Sequence, residues 1–212
     1  MNRECPLLAE LCPSLEAGLD EFCEIPAERR TALESISRFV SDRVDSRAPA
    51  RLTFICTHNS RRSHMSQIWA QTAAHYFSVP GVETFSGDTE ATAFNPRAVA
   101  ALQRAGFLID CFTDGANPIY EVSYEPGMEP MQAFSKVYGE PPNPESGFAA
   151  VMTCSAADAT CPIVFGADER IAIPFEDPKA FDGTELEAAA YDERCRQIAR
   201  EMLYVFSVVA AG

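Results

Sequence analysis

The sequence has no run of about 18 apolar residues, so it offers no transmembrane helix. It opens without a basic region followed by an apolar one, so no signal peptide is evident and a cytoplasmic protein is expected. Basic residues are scarce. With 17 Lys and Arg against 31 Asp and Glu, the net charge of −14 argues against nucleic acid as a partner, and no membrane partner is expected. Clustered metal ligands are also lacking. Cys5 and Cys12 stand seven apart with too few further ligands nearby, so no metal and no cofactor is expected and the pair is assigned no role. Eight cysteines without a secretion signal are expected to be thiols in a reducing cytosol rather than structural disulfides.

What is present centres on Thr53 to Ala70. Arg51 to Ile55 reads as a short buried strand, and Met65, Ile68, Trp69, Ala73 and Tyr76 recur at helical spacing. Between strand and helix lie Cys56, Thr57, His58, Asn59, Ser60, Arg61, Arg62 and Ser63. A strand, a tight turn and a helix N-terminus bring backbone N–H groups and the helix dipole to one point, a cradle for a tetrahedral oxyanion. Arg62 can clamp two oxygens with its planar fork. Cys56 at the base of that field is a candidate nucleophile, and Ser63 can hydrogen-bond its thiolate. The bare Cys-x5-Arg pattern is weak, since Cys23 and Arg29 repeat it with Pro26 between them and no strand before. Context gives it weight. From Ser46 to Val82 there is no Asp or Glu, while Arg47, Arg51, Arg61 and Arg62 all fall there.

The run from Cys56 to Ser63 resembles the phosphate loop of the low-molecular-weight protein tyrosine phosphatases, which thioredoxin-coupled arsenate reductases share. The resemblance covers roughly Arg51 to Val209. It implies an α/β three-layer sandwich with a four-stranded parallel sheet. Residues 1–49 are then an N-terminal helical extension, and residues 50–212 a catalytic domain with a long inserted loop at about 114–147.

In chain order, Leu7, Leu8, Leu11 and Leu15 suggest a short helix interrupted by Pro13. Pro26 fits the first turn of a second helix striped by Leu33, Ile36, Phe39, Val40 and Val44. The extension covers one sheet face or mediates dimerisation. Val82 to Ser86 reads as a strand, and Asn95, Pro96 and Gly106 as cap, start and stop of a helix. The segment 114–147 holds six prolines with Tyr120, Tyr124, Phe134 and Tyr138, and reads as a covering loop or a lid. Phe148 to Thr153 is an apolar strand and Ile171 to Pro174 the last one. A capping box at Thr184 to Glu187 opens a terminal helix striped by Cys195, Ile198, Met202, Val205, Phe206 and Val209.

Two further segments carry chemistry. Cys154 ends a strand as Cys56 does, so both are expected at one sheet edge. Cys154 to Cys161-Pro162 resembles the redox segment of thioredoxin-coupled arsenate reductases. If the segment is helical, a rise of 1.5 Å per residue sets the two Cα atoms about 10 Å apart, so a disulfide requires it to unwind. Asp177, before Pro178, matches the Asp-Pro loop in which the family holds its general acid; Asp168 and Asp182 are weaker candidates.

The resemblance therefore implies an arsenate reductase with Cys56 as nucleophile, Asp177 as acid, Cys154 and Cys161 as relay and thioredoxin as reductant. The alternative is a tyrosine phosphatase hydrolysing phosphomonoesters through a phosphocysteine. A third reading, an oxyanion-binding protein without catalysis, fits the intact set of Cys56, Arg62 and Asp177 poorly. The chain departs from the pattern at Arg61, where relatives have a neutral residue. It also departs at Gln67, where arsenate reductases have a glutamate linked to potassium.

Overall fold

The computed structural model describes residues 5–160 and 163–212. Its centre is a four-stranded parallel sheet of β1 (Ala50–Ile55), β2 (Val82–Gly87), β6 (Phe148–Met152) and β7 (Ala167–Ala172), in the order β2-β1-β6-β7. β1 and β6 are mostly apolar and buried throughout but for Arg51, as strands covered on both faces must be. From β1 the chain passes to β2 on one side and later returns to β6 on the other. The direction of winding reverses between the C-terminal ends of β1 and β6, where open α/β sheets bind ligands.

Leu52, Phe54, Val151, Ile171 and Ile173 form one apolar face with α2 (Ala27–Asp45), α3 (Arg62–Tyr76) and α6 (Glu187–Ala211). The opposite face, through Ile55, Phe148, Ala150 and Met152, is covered by the short α5 (Ser155–Thr160), Val164 and Tyr138. The sheet is thus flanked by helical layers of unequal thickness. The fully buried Tyr191, Phe206, Trp69 and Phe54 mark where the thick layer meets the sheet. At about 25 cal/mol per Å² of apolar area, such large side chains dominate its stabilisation.

The N-terminal helices pack into this layer. α1 (Cys12–Asp20) and α2 lie on α6, and α2 also touches β1 and β7. Arg29 of α2 donates to Glu201 of α6 (2.7 and 2.9 Å) and to Ile173 O (3.2 Å), tying helix, helix and strand end together. Pro13 does not interrupt the first helix. It sits in its opening turn, where a missing N–H costs nothing, and Leu7, Leu8 and Leu11 precede the helix. Cys5 and Cys12 are a disulfide rather than thiols, because the turn between them folds back and brings their Cα atoms to 6.4 Å. Cys23, Cys56, Cys111, Cys154 and Cys195 are free thiols.

α4 (Pro96–Ala105) begins and ends as its residues dictate. Asn95 Oδ1 accepts from Arg97 N–H at 2.9 Å, and Gly106 closes the helix at φ +112°. The segment 114–147 is not a plain loop. β3 (Leu108–Cys111), β4 (Tyr120–Ser123) and β5 (Met131–Ala133) form an antiparallel sheet whose Ile109, Val122 and Ala133 enter the main core. The alternation along Tyr120-Glu121-Val122-Ser123 is the strand signal that the prolines mask. β7 starts earlier than Ile171 because Asp168 and Glu169, on an edge strand, face outward and read as polar loop. Thr184 and Glu187 do not cap α6 as a box. They bond to Leu186 N–H (3.3 Å) and Gly183 N–H (2.6 Å) in the turn before it, and α6 opens at Glu187.

Candidate active site

The end of β1 delivers Cys56 to the switch point, and residues 57–61 turn back into α3, which opens at Arg62. Asn59 takes φ +39°, a left-handed conformation that asparagine tolerates better than most side-chain-bearing residues. The turn is tied down on both sides. Ser60 Oγ donates to Ala93 O (2.7 Å) and Ser60 O accepts from Asn95 N–H (2.8 Å). His58 O accepts from Thr92 Oγ1 (2.7 Å) and Ser135 Oγ (3.3 Å). Cys56 is buried, with its Sγ 3.1 Å from Ser63 Oγ, and Asn59 Nδ2 donates to that same hydroxyl at 3.0 Å.

Both arginines of the loop are spoken for by one carboxylate. Arg61 grips Asp177 with two bonds (2.9 and 3.1 Å). Arg62 adds a third from Nη2 (2.7 Å) and donates from Nη1 to Phe175 O (2.8 Å). Arg62 Nε is buried with no acceptor among the described residues, a donor available to an oxyanion. Burial pulls the Asp177 carboxyl upward, but Arg62, the Lys179 N–H and Arg61 outweigh it and hold the group below its ordinary range. Asp177 also caps the short turn Pro178–Phe181 by accepting from Lys179 N–H (3.1 Å). Arg61 therefore faces inward onto Asp177.

Cys154 follows β6 and lies against the same loop, its Sγ 3.1 Å from Thr57 Oγ1. It also accepts from Ala157 N–H (3.3 Å) at the start of α5, so the helix Ser155–Thr160 opens directly after Cys154. Cys161 lies outside the described residues, and with it the separation of the pair. Past them, Ile163 and Phe165 are 70% and 79% exposed. Asp168 and Asp182 are elsewhere, the first paired with Arg43 and the second accepting from Tyr191 Oη (2.9 Å). Cys23 is exposed and Arg29 serves Glu201, so the chance copy of the motif builds nothing.

Several residues reach the site that sequence reasoning passed over. Asp88, after β2, is buried, and burial pushes its carboxyl up to about 6 against the pull of Thr89, His58 and the Asn59 amide. His64 stacks on Phe94 at 4.1 Å between ring centres. Burial and then the Lys136 charge push its imidazole down to about 3, so it is neutral. From the inserted segment, Lys136 N–H donates to Asn59 Oδ1 (2.8 Å), and Asp88 N–H donates to Lys136 O (3.1 Å). No local motif announces these; the bridge between Asp88 and Val137, with the bonds of Ser135 and Lys136 to His58 and Asn59, brings the insert alongside the loop.

No protein-family model matches the chain, and no curated protein matches it by sequence. Solved structures do. A low-molecular-weight phosphotyrosine phosphatase from Vibrio cholerae O395 superposes with a TM-score of 0.51 at 12% identity, over 74% of this chain and 95% of that one. An arsenate reductase in a phosphate-binding state gives 0.46 at 16% identity, over 76% of this chain and 98% of that one. A thioredoxin-dependent arsenate reductase from Corynebacterium glutamicum gives 0.38 at 16% identity, over 91% and 84%. The likeness that carries weight is one of architecture: the fold of this chain, a four-stranded parallel sheet flanked by helices, is that of the low-molecular-weight phosphotyrosine phosphatases.

Proposed function

We propose that the protein is an arsenate reductase working through Cys56 and a cysteine relay of Cys154 and Cys161, re-reduced by thioredoxin. The observation that carries the reading is the second sulfur at the loop, Cys154 Sγ at 3.1 Å from Thr57 Oγ1. A hydrolytic phosphatase has no use for it.

Arsenate enters the turn from Cys56 to Ser63, where the free Nε of Arg62 and the helix dipole attract it. The Cys56 thiolate attacks arsenic(V), and one oxygen leaves with a proton from Asp177. In the resting site Asp177 is ionised by its arginines; an oxyanion that draws Arg62 away replaces attraction by repulsion and raises its proton affinity. Cys154 then attacks Cys56 Sγ. The sulfur–arsenic bond breaks, its electron pair reduces arsenic to arsenite, and a Cys56–Cys154 disulfide forms. Cys161 attacks Cys154, frees Cys56, and leaves a disulfide for a dithiol reductant. The exposed Ile163 and Phe165 give such a partner an apolar surface next to the relay.

The alternative is a phosphatase that forms a phosphocysteine on Cys56. Phe181, 41% exposed on the turn just after Asp177, favours it as a wall for an aryl leaving group. A single turnover separates the two. Fully reduced protein meets excess arsenate without reductant, and is then denatured, alkylated and weighed. Loss of two thiols mapped to Cys154 and Cys161 is expected. No thiol lost, with an aryl phosphate hydrolysed, would establish the phosphatase instead.

A further inference from the structure

The inserted segment reaches Cys56 through a chain of hydrogen bonds whose polarity is fixed at one end. Asn117 and Ser135 form a reciprocal pair: Asn117 Nδ2 donates to Ser135 O (2.7 Å) and Ser135 N–H donates to Asn117 Oδ1 (3.1 Å). Ser135 Oγ accepts from Thr92 N–H (2.8 Å) and donates to His58 O. This fixes the next residue, whose backbone N–H meets Asn59 Oδ1 at 2.8 Å.

A backbone N–H can only donate. The Asn59 carbonyl must therefore face Lys136, and its amide nitrogen must face Ser63, where it can only donate. Ser63 Oγ, accepting from Asn59, has its own proton left for its other neighbour, Cys56 Sγ at 3.1 Å. A hydroxyl that donates to sulfur stabilises the thiolate; one that accepts from it stabilises the thiol. We propose that the insert acts as a positioning element for the nucleophile: Asn117, through the Lys136 backbone N–H, sets the direction of the Asn59–Ser63–Cys56 hydrogen bonds and so favours the Cys56 thiolate.

Gly87 is consistent with an approach made on purpose. A Cβ there would lie 2.5 Å from Tyr138 Cα, so the strand end that receives the insert is kept bare. Among the described residues the Asn117 side chain hydrogen-bonds to Ser135 and not to Cys56 or the arginines of the loop, and its effect must pass through the chain described.

The test is the rate of Cys56 alkylation by iodoacetamide in the full chain, read by peptide mass spectrometry at mildly acid and at alkaline pH. This needs no substrate, so it stands apart from the arsenate turnover. In Asn117→Ala the acid-pH rate is expected to fall about fivefold, the worth of one lost hydrogen bond, with the alkaline rate unchanged. If that variant does not fold, Asn117→Asp keeps the bond from Ser135 N–H, loses the one to Ser135 O, and is read the same way. Lys136→Met keeps the N–H and removes the ammonium; an equal fall there would overturn the assignment to the amide. A folded Asn117→Ala that alkylates like the wild type would overturn the inference alone. A wild type whose alkylation already collapses at acid pH would overturn it together with Cys56 as nucleophile.

Discussion

Arg61 is the loop residue with the most bonds to Asp177, and on the proposed mechanism removing it should shift the acid limb of the reaction in a stated direction. Arg61 supplies two of the three guanidinium bonds to Asp177, and Arg62 supplies the third. A hydrogen bond to a charged group contributes roughly 1.5–3 kcal/mol. The Asp177 side chain is 28% exposed and keeps Arg62, so the lower end of that range applies. In Arg61→Ala the carboxylate should lose about 1.5 kcal/mol of stabilisation, and the carboxyl should rise toward its ordinary range. As general acid, Asp177 works only when protonated, so activity falls as pH rises through its pKa. Raising that value moves the falling limb of kcat/KM to higher pH, since kcat/KM reports the free enzyme. Substrate affinity falls at the same time, because a cation leaves the anion site. Stability carries an independent signature. A carboxyl whose folded pKa is depressed contributes stability above its unfolded pKa and loses it as pH falls through the folded value. The wild type should therefore lose more stability than Arg61→Ala on acidification. The assays are a pH profile of aryl phosphate or arsenate turnover and thermal melting at neutral and acid pH. A falling limb that stays put or moves to lower pH in Arg61→Ala would refute the assignment of Asp177 as the acid.

Asp88 titrates with the opposite sign. Its raised folded value, about 6, contributes stability below the unfolded pKa that is lost as pH rises through the folded one, so Asp88→Asn should stabilise the protein at neutral pH by at most about 3 kcal/mol and flatten the pH dependence of melting across that interval. Glu201→Gln removes a buried charge facing Arg29, and chemical denaturation should show a loss of about 3–5 kcal/mol, as for breaking a buried pair. Gly106→Ala combines φ +112° with a Cβ driven into the Glu10 carbonyl, so a fall in stability of at least about 1–3 kcal/mol is expected by thermal melting, with the N-terminal turn loosening first by hydrogen exchange.

Local chemistry was legible and tertiary coincidence was not. The strand–turn–helix around Cys56 and the capped helix from Asn95 to Gly106 are written in residues adjacent in the chain, and both form as written. The four strands of the main sheet were found because apolar residues dominate β1 and fill β6; edge strand β7 was placed too late, at Ile171 to Pro174 instead of Ala167–Ala172, its outward face being polar. Asn117, Ser135 and Lys136 escaped because their meaning lies in backbone groups meeting a loop 77 residues away for the Lys136–Asn59 bond. The disulfide of Cys5 and Cys12 escaped because spacing alone does not say that a turn will fold back on itself.

The acid-free stretch from Ser46 to Val82 illustrates the same limit from the side of function. It keeps carboxylates off the loop locally, yet the fold closes Asp177 onto Arg61 and Arg62 from a distant strand end. The resting site is therefore not a bare cationic cradle but a half-neutralised one, two guanidinium groups facing one carboxylate. An incoming oxyanion must compete with a carboxylate for Arg62, and succeeds only if it offers more acceptor charge in the same geometry. A dianionic tetrahedral oxyanion meets that condition and a monoanion of similar size meets it poorly. Competition thus selects by charge before any side chain selects by shape. On the proposed mechanism, Asp177 loses its guanidinium partner to the anion it protonates, and so gains proton affinity when substrate is present.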